Sequence, residues 1–288
     1  MTPVPRVGLA VSTTGRPTLV DLIESAARST VPPNVVAVAD HTPLGDLRVH
    51  PTTLAVVVVA STGGASRGRN DALNALRGRC EVVGFPNDDC TYPPDTLERV
   101  AEAFAVPTPP VAVACTLLEP TGPRFRLPPR GAQLDRRTVW RAIEPATFFR
   151  VDAFREAGGF RDDLGAGADT PWQSGDGTDL LLNMMGAGGL VVSRPDLVVL
   201  GCGERKGLSA DAFVAKHRAY ARGTGFVYRI HDYPLHDRVR VAVAPLVKAP
   251  GLDASLRLSL RLALARSLGR VEGLTGRRLP GSKDPQWL

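Results

Sequence analysis

Five short apolar runs recur through the first 118 residues, and each stops at a cluster of polar ones: Arg6 to Val11, Val35 to Ala39, Leu54 to Val59, Cys80 to Phe85 and Val111 to Leu117. A continuous run of about six apolar residues, without alternation, is the pattern of a strand buried on both faces. Helical segments are predicted between them, at about 18–29, up to about 76, and at about 95–104. Strands alternating with helices predict an α/β fold: a doubly wound, mostly parallel sheet with helices on both faces. In such sheets ligands bind at the carboxyl ends of the strands. The polar clusters Ser12 to Pro17, Asp40 to Pro43, Ser61 to Asn70 and Asn87 to Cys90 all fall on that edge.

The later chain is less regular. Four prolines between Pro120 and Pro129 predict a loop or edge excursion. Ala146 to Val151 reads as a strand, Asp152 to Ala157 and Asp179 to Met185 as helices, Leu190–Ser193 and Leu197–Leu200 as two short strands, and Ala210 to Arg222 as a helix. Ser255 to Val271 is rich in Leu, Ala and Arg and reads as a helix carrying a stripe of Leu256, Leu260, Leu264 and Leu268. The stripe serves either to pack the helix on its own domain, the reading favoured by the sequence, or to contact a membrane interface. The chain divides into a domain at 1–236, with halves at about 1–118 and 119–236, and a C-terminal helical extension at 237–288.

Composition narrows the function classes. The 43% hydrophobic and 22% charged fractions are those of a soluble globular protein. The four cysteines form no C-x-x-C pair, which argues against a zinc site or a disulfide framework and fits a reducing cytoplasm. The first residues lack an apolar segment of the signal-peptide kind, so a cytoplasmic protein is expected. No run of about 18 apolar residues occurs. The net charge of +6 comes entirely from residues 237–288, which hold ten basic and four acidic residues. A basic tail on a neutral body suggests an anionic surface as partner, and an anionic membrane is favoured over nucleic acid. A homodimer contact is the other use of such a tail.

Several clusters carry potential chemistry. Asp88 and Asp89 follow a buried strand, where paired carboxylates hold a hard cation and through it phosphate oxygens. Asp is also a common turn or cap residue, so position on the sheet edge decides in favour of the metal reading. Gly63 to Gly68 has the spacing of a phosphate loop, but Arg69-Asn70 follows where Lys and Ser/Thr are needed, which excludes a Walker A motif. Arg69 can still approach an anion. Asp176, in Gly175-Asp176-Gly177-Thr178-Asp179, is either a helix cap or a general base. Asp40 is a turn residue or a ligand of a base or ribose. His50, His231 and His236 read as surface residues, and His217 as an accessory residue within possible reach of a metal. Trp172 is a sugar-stacking residue or a loop anchor.

Taken together these residues resemble the family 2 glycosyltransferases of the GT-A fold. Arg6 to Pro17 is similar to the family's opening strand and "P-T-Y-N-R-P" turn, with Ser12 in place of the proline. Asp40-His41-Thr42 resembles "D-N-G-S", Gly63 to Asn70 resembles "G-x-a-x-A-R-N", and Asn87-Asp88-Asp89 stands at the D-x-D-type cluster. Phe149 to Gly167 resembles the "G-G-F-D-E" segment before the catalytic loop. The resemblance spans about residues 5–230. It implies an inverting transfer of sugar from a nucleoside-diphosphate sugar to an acceptor hydroxyl, in cell-envelope polysaccharide, glycolipid or secondary-metabolite glycosylation. It further implies Mg²⁺ or Mn²⁺ on Asp89 with Asp88 assisting or binding ribose. Thr13, Arg16, Asp40 and Arg69 would line the donor site, and Asp176 would be the base. The family's Glu-Asp pair reads Asp176-Gly177 here, so Asp179 is an alternative base and a silent nucleotide-sugar-binding scaffold an alternative function. A sugar nucleotidyltransferase is disfavoured, because Ser12 to Arg16 lacks that class's glycine-rich loop.

Overall fold

The computed structural model describes residues 3–45, 47–49, 52–76, 78–203, 207–247 and 256–279. In chain order the elements are β1 (Val7–Thr13), α1 (Leu19–Ala27), β2 (Val35–Asp40), β3 (Val56–Ala60), α2 (Ala65–Leu76), β4 (Val82–Gly84), α3 (Thr96–Phe104), β5 (Ala112–Glu119), β6 (Gly122–Pro123), β7 (Thr147–Arg150), α4 (Val151–Glu156), α5 (Asp176–Gly186), β8 (Val191–Leu200), α6 (Ala210–Ile230), α7 (Leu235–Val247) and α8 (Leu256–Thr275). Two turns of 3-10 helix, Val139–Arg141 and Glu144–Ala146, precede β7.

The chain forms two compact units. The first comprises Met1–Thr62, Arg67–Phe160 and Leu180–Glu204, and the second Gly63–Ser66, Arg161–Asp179 and Arg205–Leu288.

The first unit is built on the sheet, with strand order β3-β2-β1-β4-β7-β5-β6 and β8 paired to β5. The five apolar runs of the sequence form β1 to β5, and β1 through β4 pair in parallel. β1 and β2 are buried at nearly every position, as unalternating strands covered on both faces must be. β7 runs antiparallel between β4 and β5. The proline-rich excursion contains the two-residue β6, which closes a small antiparallel corner on β5. Leu190 to Leu200, read as two strands, is a single one. A register shift opposite Cys115 and Thr116 absorbs Pro195, whose carbonyl accepts the Thr116 hydroxyl at 3.0 Å. Phe85 at the end of β4 packs edge-on and face-on with Phe149, Phe154 and Phe160 at centroid distances of 4.9–5.7 Å. This aromatic cluster fixes the chain immediately before Asn87-Asp88-Asp89.

In the second unit α6 and α8 pack closely through small residues. A Cβ on Gly273 would lie 2.0 Å from the Arg222 carbonyl oxygen, and one on Gly269 would lie 2.3 Å from that of Arg218. The backbones therefore approach to a distance that no larger side chain permits. α6 continues eight residues beyond its expected end at Arg222, because Gly225 serves this close contact and Gly223 a close approach to the Ser174 backbone, instead of ending the helix. The leucine stripe of α8 does not pack inward. Its buried positions are Ser259, Ala263, Ala265, Ser267, Gly269, Glu272 and Gly273, while Leu256, Leu260 and Leu264 face solvent. Among the described residues no helix is long and apolar enough to cross a membrane.

Candidate active site

Four strands of the first unit bring their carboxyl ends level. Pairing sets Thr13 opposite Asp40 and Asp40 opposite Ala60, and a bridge joins Ser12 to Asn87. One sheet edge thus carries Thr13, Asp40, Ser61 and Asn87-Asp88-Asp89.

Asp88 is buried there and already oriented. The Thr13 hydroxyl donates to its Oδ2 at 2.7 Å, and the Gly15 amide donates to the same hydroxyl's oxygen at 3.0 Å. Arg16 Nη1 donates to Asp88 Oδ1 at 3.3 Å and stands 3.9 Å from Asp89 Oδ2. Burial pushes the Asp88 carboxyl above its ordinary value; the Thr13 hydrogen bond and Arg16 oppose the rise, and neighbouring Asp89 adds to it. Asp89 is more open, and its backbone carbonyl accepts from Cys202 Sγ at 3.2 Å.

The donor set suits a hard divalent cation. Mg²⁺-type ions take one or two carboxylates and complete their shell with phosphate and water oxygens. Asp88 and Asp89 supply that number. Burial pushes the thiol of the next residue, Cys90, up to about 12, so it offers no thiolate to a softer metal. Among the described residues no group of three or more His, Cys, Asp or Glu is placed to hold a metal alone. The residues fit a cation shared with a diphosphate and do not fit a closed, protein-only site.

Asp40 and Arg69 turn toward their own chain. Asp40 Oδ1 accepts the Thr42 amide at 2.7 Å and Oδ2 the Leu47 amide at 3.0 Å. Burial works against its charge, yet the amide donors outweigh it and hold the carboxyl below its ordinary value. Asp40 thereby fastens the loop after β2. Arg69 is buried in α2, donates to Asn87 Oδ1 at 3.2 Å, lies 3.7 Å from Glu144 Oε1 and covers the Phe160 ring at 5.6 Å. It braces the acidic run through Asn87. Behind it Gly68 lets α2 approach His41: a Cβ there would lie 2.2 Å from His41 Nε2. Burial lowers the His41 pKa, which favours the neutral ring in that tight space.

In the second unit Asp176 begins α5, a few residues earlier than the sequence predicts that helix. Its Oδ2 stands 3.2 Å from Ser66 Oγ, whose hydroxyl donates to the Leu164 carbonyl at 2.5 Å. The preceding loop is held by its own bonds: the Ala65 amide to Ala166 O at 2.8 Å, Gly165 to Trp172 O at 2.9 Å, and Gly167 to Gln173 Oε1 at 2.9 Å. Asp179, one turn on, is fully buried with Oδ1 2.7 Å from His231 Nε2. His231 is therefore mostly buried and not the surface residue expected, whereas His236 is exposed and His50 lies outside the described residues. Trp172 stacks on Phe226 at 4.8 Å and 11°, the geometry of a loop anchor. His217 is buried, with Phe213 edge-on at 4.4 Å and Arg266 Nη2 3.2 Å from Nδ1, so it is a packing residue of the α6–α8 contact.

Ser66, Asn87 and His231 are the residues that sequence reasoning missed. Ser66 lies 110 positions from Asp176, and no local pattern links them.

The sheet edge agrees with an independent comparison: residues 16–158 match the model described as glycosyl transferase family 2. Residues 16–158 are thus similar to the family 2 glycosyltransferases. The match spans just under half the chain and includes Arg16, Asp40, Arg69, Asp88 and Asp89. It excludes Thr13 and Asp176.

Solved structures share the fold of the chain. The mannosyltransferase PcManGT from Pyrobaculum calidifontis, in complex with GDP-Man and Mn²⁺, aligns with a TM-score of 0.62 at 19% identity, over 96% of this chain and 89% of that one. S. aureus TarS 1-349 in complex with UDP-GlcNAc aligns at 0.53 and 13%, over 94% and 92%. At these identities the likeness establishes a GT-A fold. No curated protein matches the chain.

Proposed function

We propose that this chain transfers a glycosyl group from a nucleoside-diphosphate sugar to an acceptor hydroxyl, with inversion at the anomeric carbon. The observation that carries this reading is the bonded set of Thr13, Arg16 and Asp88, with Asp89 beside it, on the carboxyl edge of the parallel strands. The donors in the PcManGT and TarS complexes support a nucleotide sugar.

Asp89, with Asp88, would hold Mg²⁺ or Mn²⁺, and the bound ion supplies positive charge against the departing diphosphate. The chain's own residues do the remaining work. Thr13 fixes the rotamer of Asp88, leaving one carboxylate oxygen toward ribose or metal. Arg16, partly exposed beside both acids, is free to swing onto a phosphate oxygen. Asp40 and Arg69 shape the donor pocket by holding the loop after β2 and the Asn87 turn. Asp176 accepts the proton of the acceptor hydroxyl as its oxygen bonds the anomeric carbon and the bond from that carbon to the diphosphate oxygen breaks. Asp179, bound to His231, is the less suited base.

The test is release of nucleoside diphosphate from a panel of nucleotide sugars with acceptor extracts. Asp176→Asn is expected to lower kcat by about 10²–10⁴-fold with the donor Kd unchanged. Full activity in that variant would move the base to another residue, Asp179 first. Gly177, standing where the family pattern has an acid, favours one other reading, a protein that binds nucleotide sugar without turnover. Donor binding with no diphosphate release from any acceptor extract would establish it.

A further inference from the structure

We propose that the outer face of α7 and α8 docks on an anionic lipid bilayer. Both helices belong to the second unit and touch each other, Arg270 Nη1 donating to the Val241 carbonyl at 2.8 Å. Each presents an i, i+4 apolar stripe to solvent. On α8 these are Leu256, Leu260 and Leu264, at 68%, 51% and 53% exposure, and on α7 Leu235, Val239 and Val243, at 76%, 54% and 45%. Burying one such side chain is worth about 1.5–3 kcal/mol, so six of them left in water signal a partner.

The charge pattern selects the partner. Among the described residues of α7 and α8 the only carboxylates are Asp237 and Glu272, and both are buried. Glu272 is bound by Arg218 at 2.6 Å, and Asp237 lies 3.1 Å from Arg240. The exposed charges carried by the two helices are cationic, Arg240, Arg257 and Arg261, with Arg261 Nη2 donating to the exposed carboxylate of Asp211 on α6 at 2.5 Å. Helices that expose leucine, valine and arginine and no carboxylate of their own complement a bilayer whose interior takes the apolar side chains and whose anionic headgroups take the guanidinium groups. The leucines are also not required for folding, because α8 packs through its small residues. The proposal is independent of the donor reading, since lipid binding is measured without turnover.

The experiment is flotation of the full chain with vesicles of phosphatidylcholine alone and of phosphatidylcholine with about 30% phosphatidylglycerol, in about 0.1 M salt. The protein is expected to float at least about tenfold more with the anionic vesicles, and less as salt rises. Leu260→Asp with Leu264→Asp is expected to abolish flotation while leaving the circular-dichroism melt unchanged. Arg257→Glu with Arg261→Glu, which keeps the apolar stripe, is expected to remove the preference for anionic lipid. Three results would overturn the proposal: no flotation of the wild type, flotation unchanged by the leucine substitutions, or a dimer that these substitutions convert to monomer without any vesicle binding in either form. The last assigns the face to a second copy of the chain.

Discussion

At Gly165 the backbone has φ of +116°, and a Cβ there would lie 2.4 Å from Ser66 Oγ and 3.2 Å from the Asp176 carboxyl. Both constraints act together, because the left-handed conformation disfavours an L side chain and the space is already filled. Gly165→Ala is expected to cost on the order of 1–3 kcal/mol and to displace Asp176. Measured kinetics should show a lower kcat with little change in the donor KM, and a thermal melt should fall by a few degrees. A variant with wild-type kcat and melting temperature would show that this loop does not position Asp176. The same comparison explains which site residues were legible. Asp40, Asp88 and Asp89 each follow an apolar strand, so a local pattern places them on the binding edge. The contact of Ser66 with Asp176 and that of Asp179 with His231 join residues 110 and 52 positions apart, and depend on how loops close. Trp172 and His217 were ambiguous for a related reason: an aromatic ring or an imidazole suits a ligand as well as a neighbour, and Phe226 and Phe213 are the neighbours they found.

Elements were most legible where burial is symmetric. β1, β2, α1 and α3 follow the apolar pattern within a few residues. Orientation was not legible: Thr147–Arg150 reads equally well as a parallel or an antiparallel strand, and it runs antiparallel. α8 packs on α6, as the favoured reading expected, but not through its leucine stripe. The buried face is instead small, since α6 and α8 cross at a separation set by Gly225, Gly269 and Gly273. α7 was anticipated only within the helical extension at 237–288 and not as a separate element, its valine-rich sequence and Pro245 having little helix propensity. Glu272 makes the α6–α8 contact specific as well as close. It is fully buried, receives Arg218 at 2.6 Å, lies 3.8 Å from buried Arg222 and accepts the Leu279 amide at 3.0 Å. Glu272→Ala leaves two guanidinium groups in the interior without that carboxylate, and is expected to destabilise the protein by about 3–5 kcal/mol. Chemical denaturation measures this directly, and a loss under about 1 kcal/mol would mean that the arginines find other compensation.

Across the whole chain, compact units and sequence order do not coincide. Gly63–Ser66 and Arg161–Asp179 belong with the C-terminal helices, while Leu180–Glu204 belongs with the sheet. Charge is divided as well: residues 1–236 are balanced, and the excess of +6 lies in 237–288. Under the proposed function, recognition of an anionic donor by the sheet edge depends on placed groups, not on a broad positive field. The placed groups are two carboxylates and one arginine, and carboxylates repel a diphosphate unless a cation intervenes. Calorimetric titration of nucleoside diphosphates into the wild type and Asp89→Ala, with and without Mn²⁺, tests this directly. The account predicts binding by the wild type that strengthens at least about tenfold with Mn²⁺, and loss of that gain in Asp89→Ala, which keeps its fold. Equal affinity with and without the metal, or an undiminished metal effect in Asp89→Ala, would contradict it.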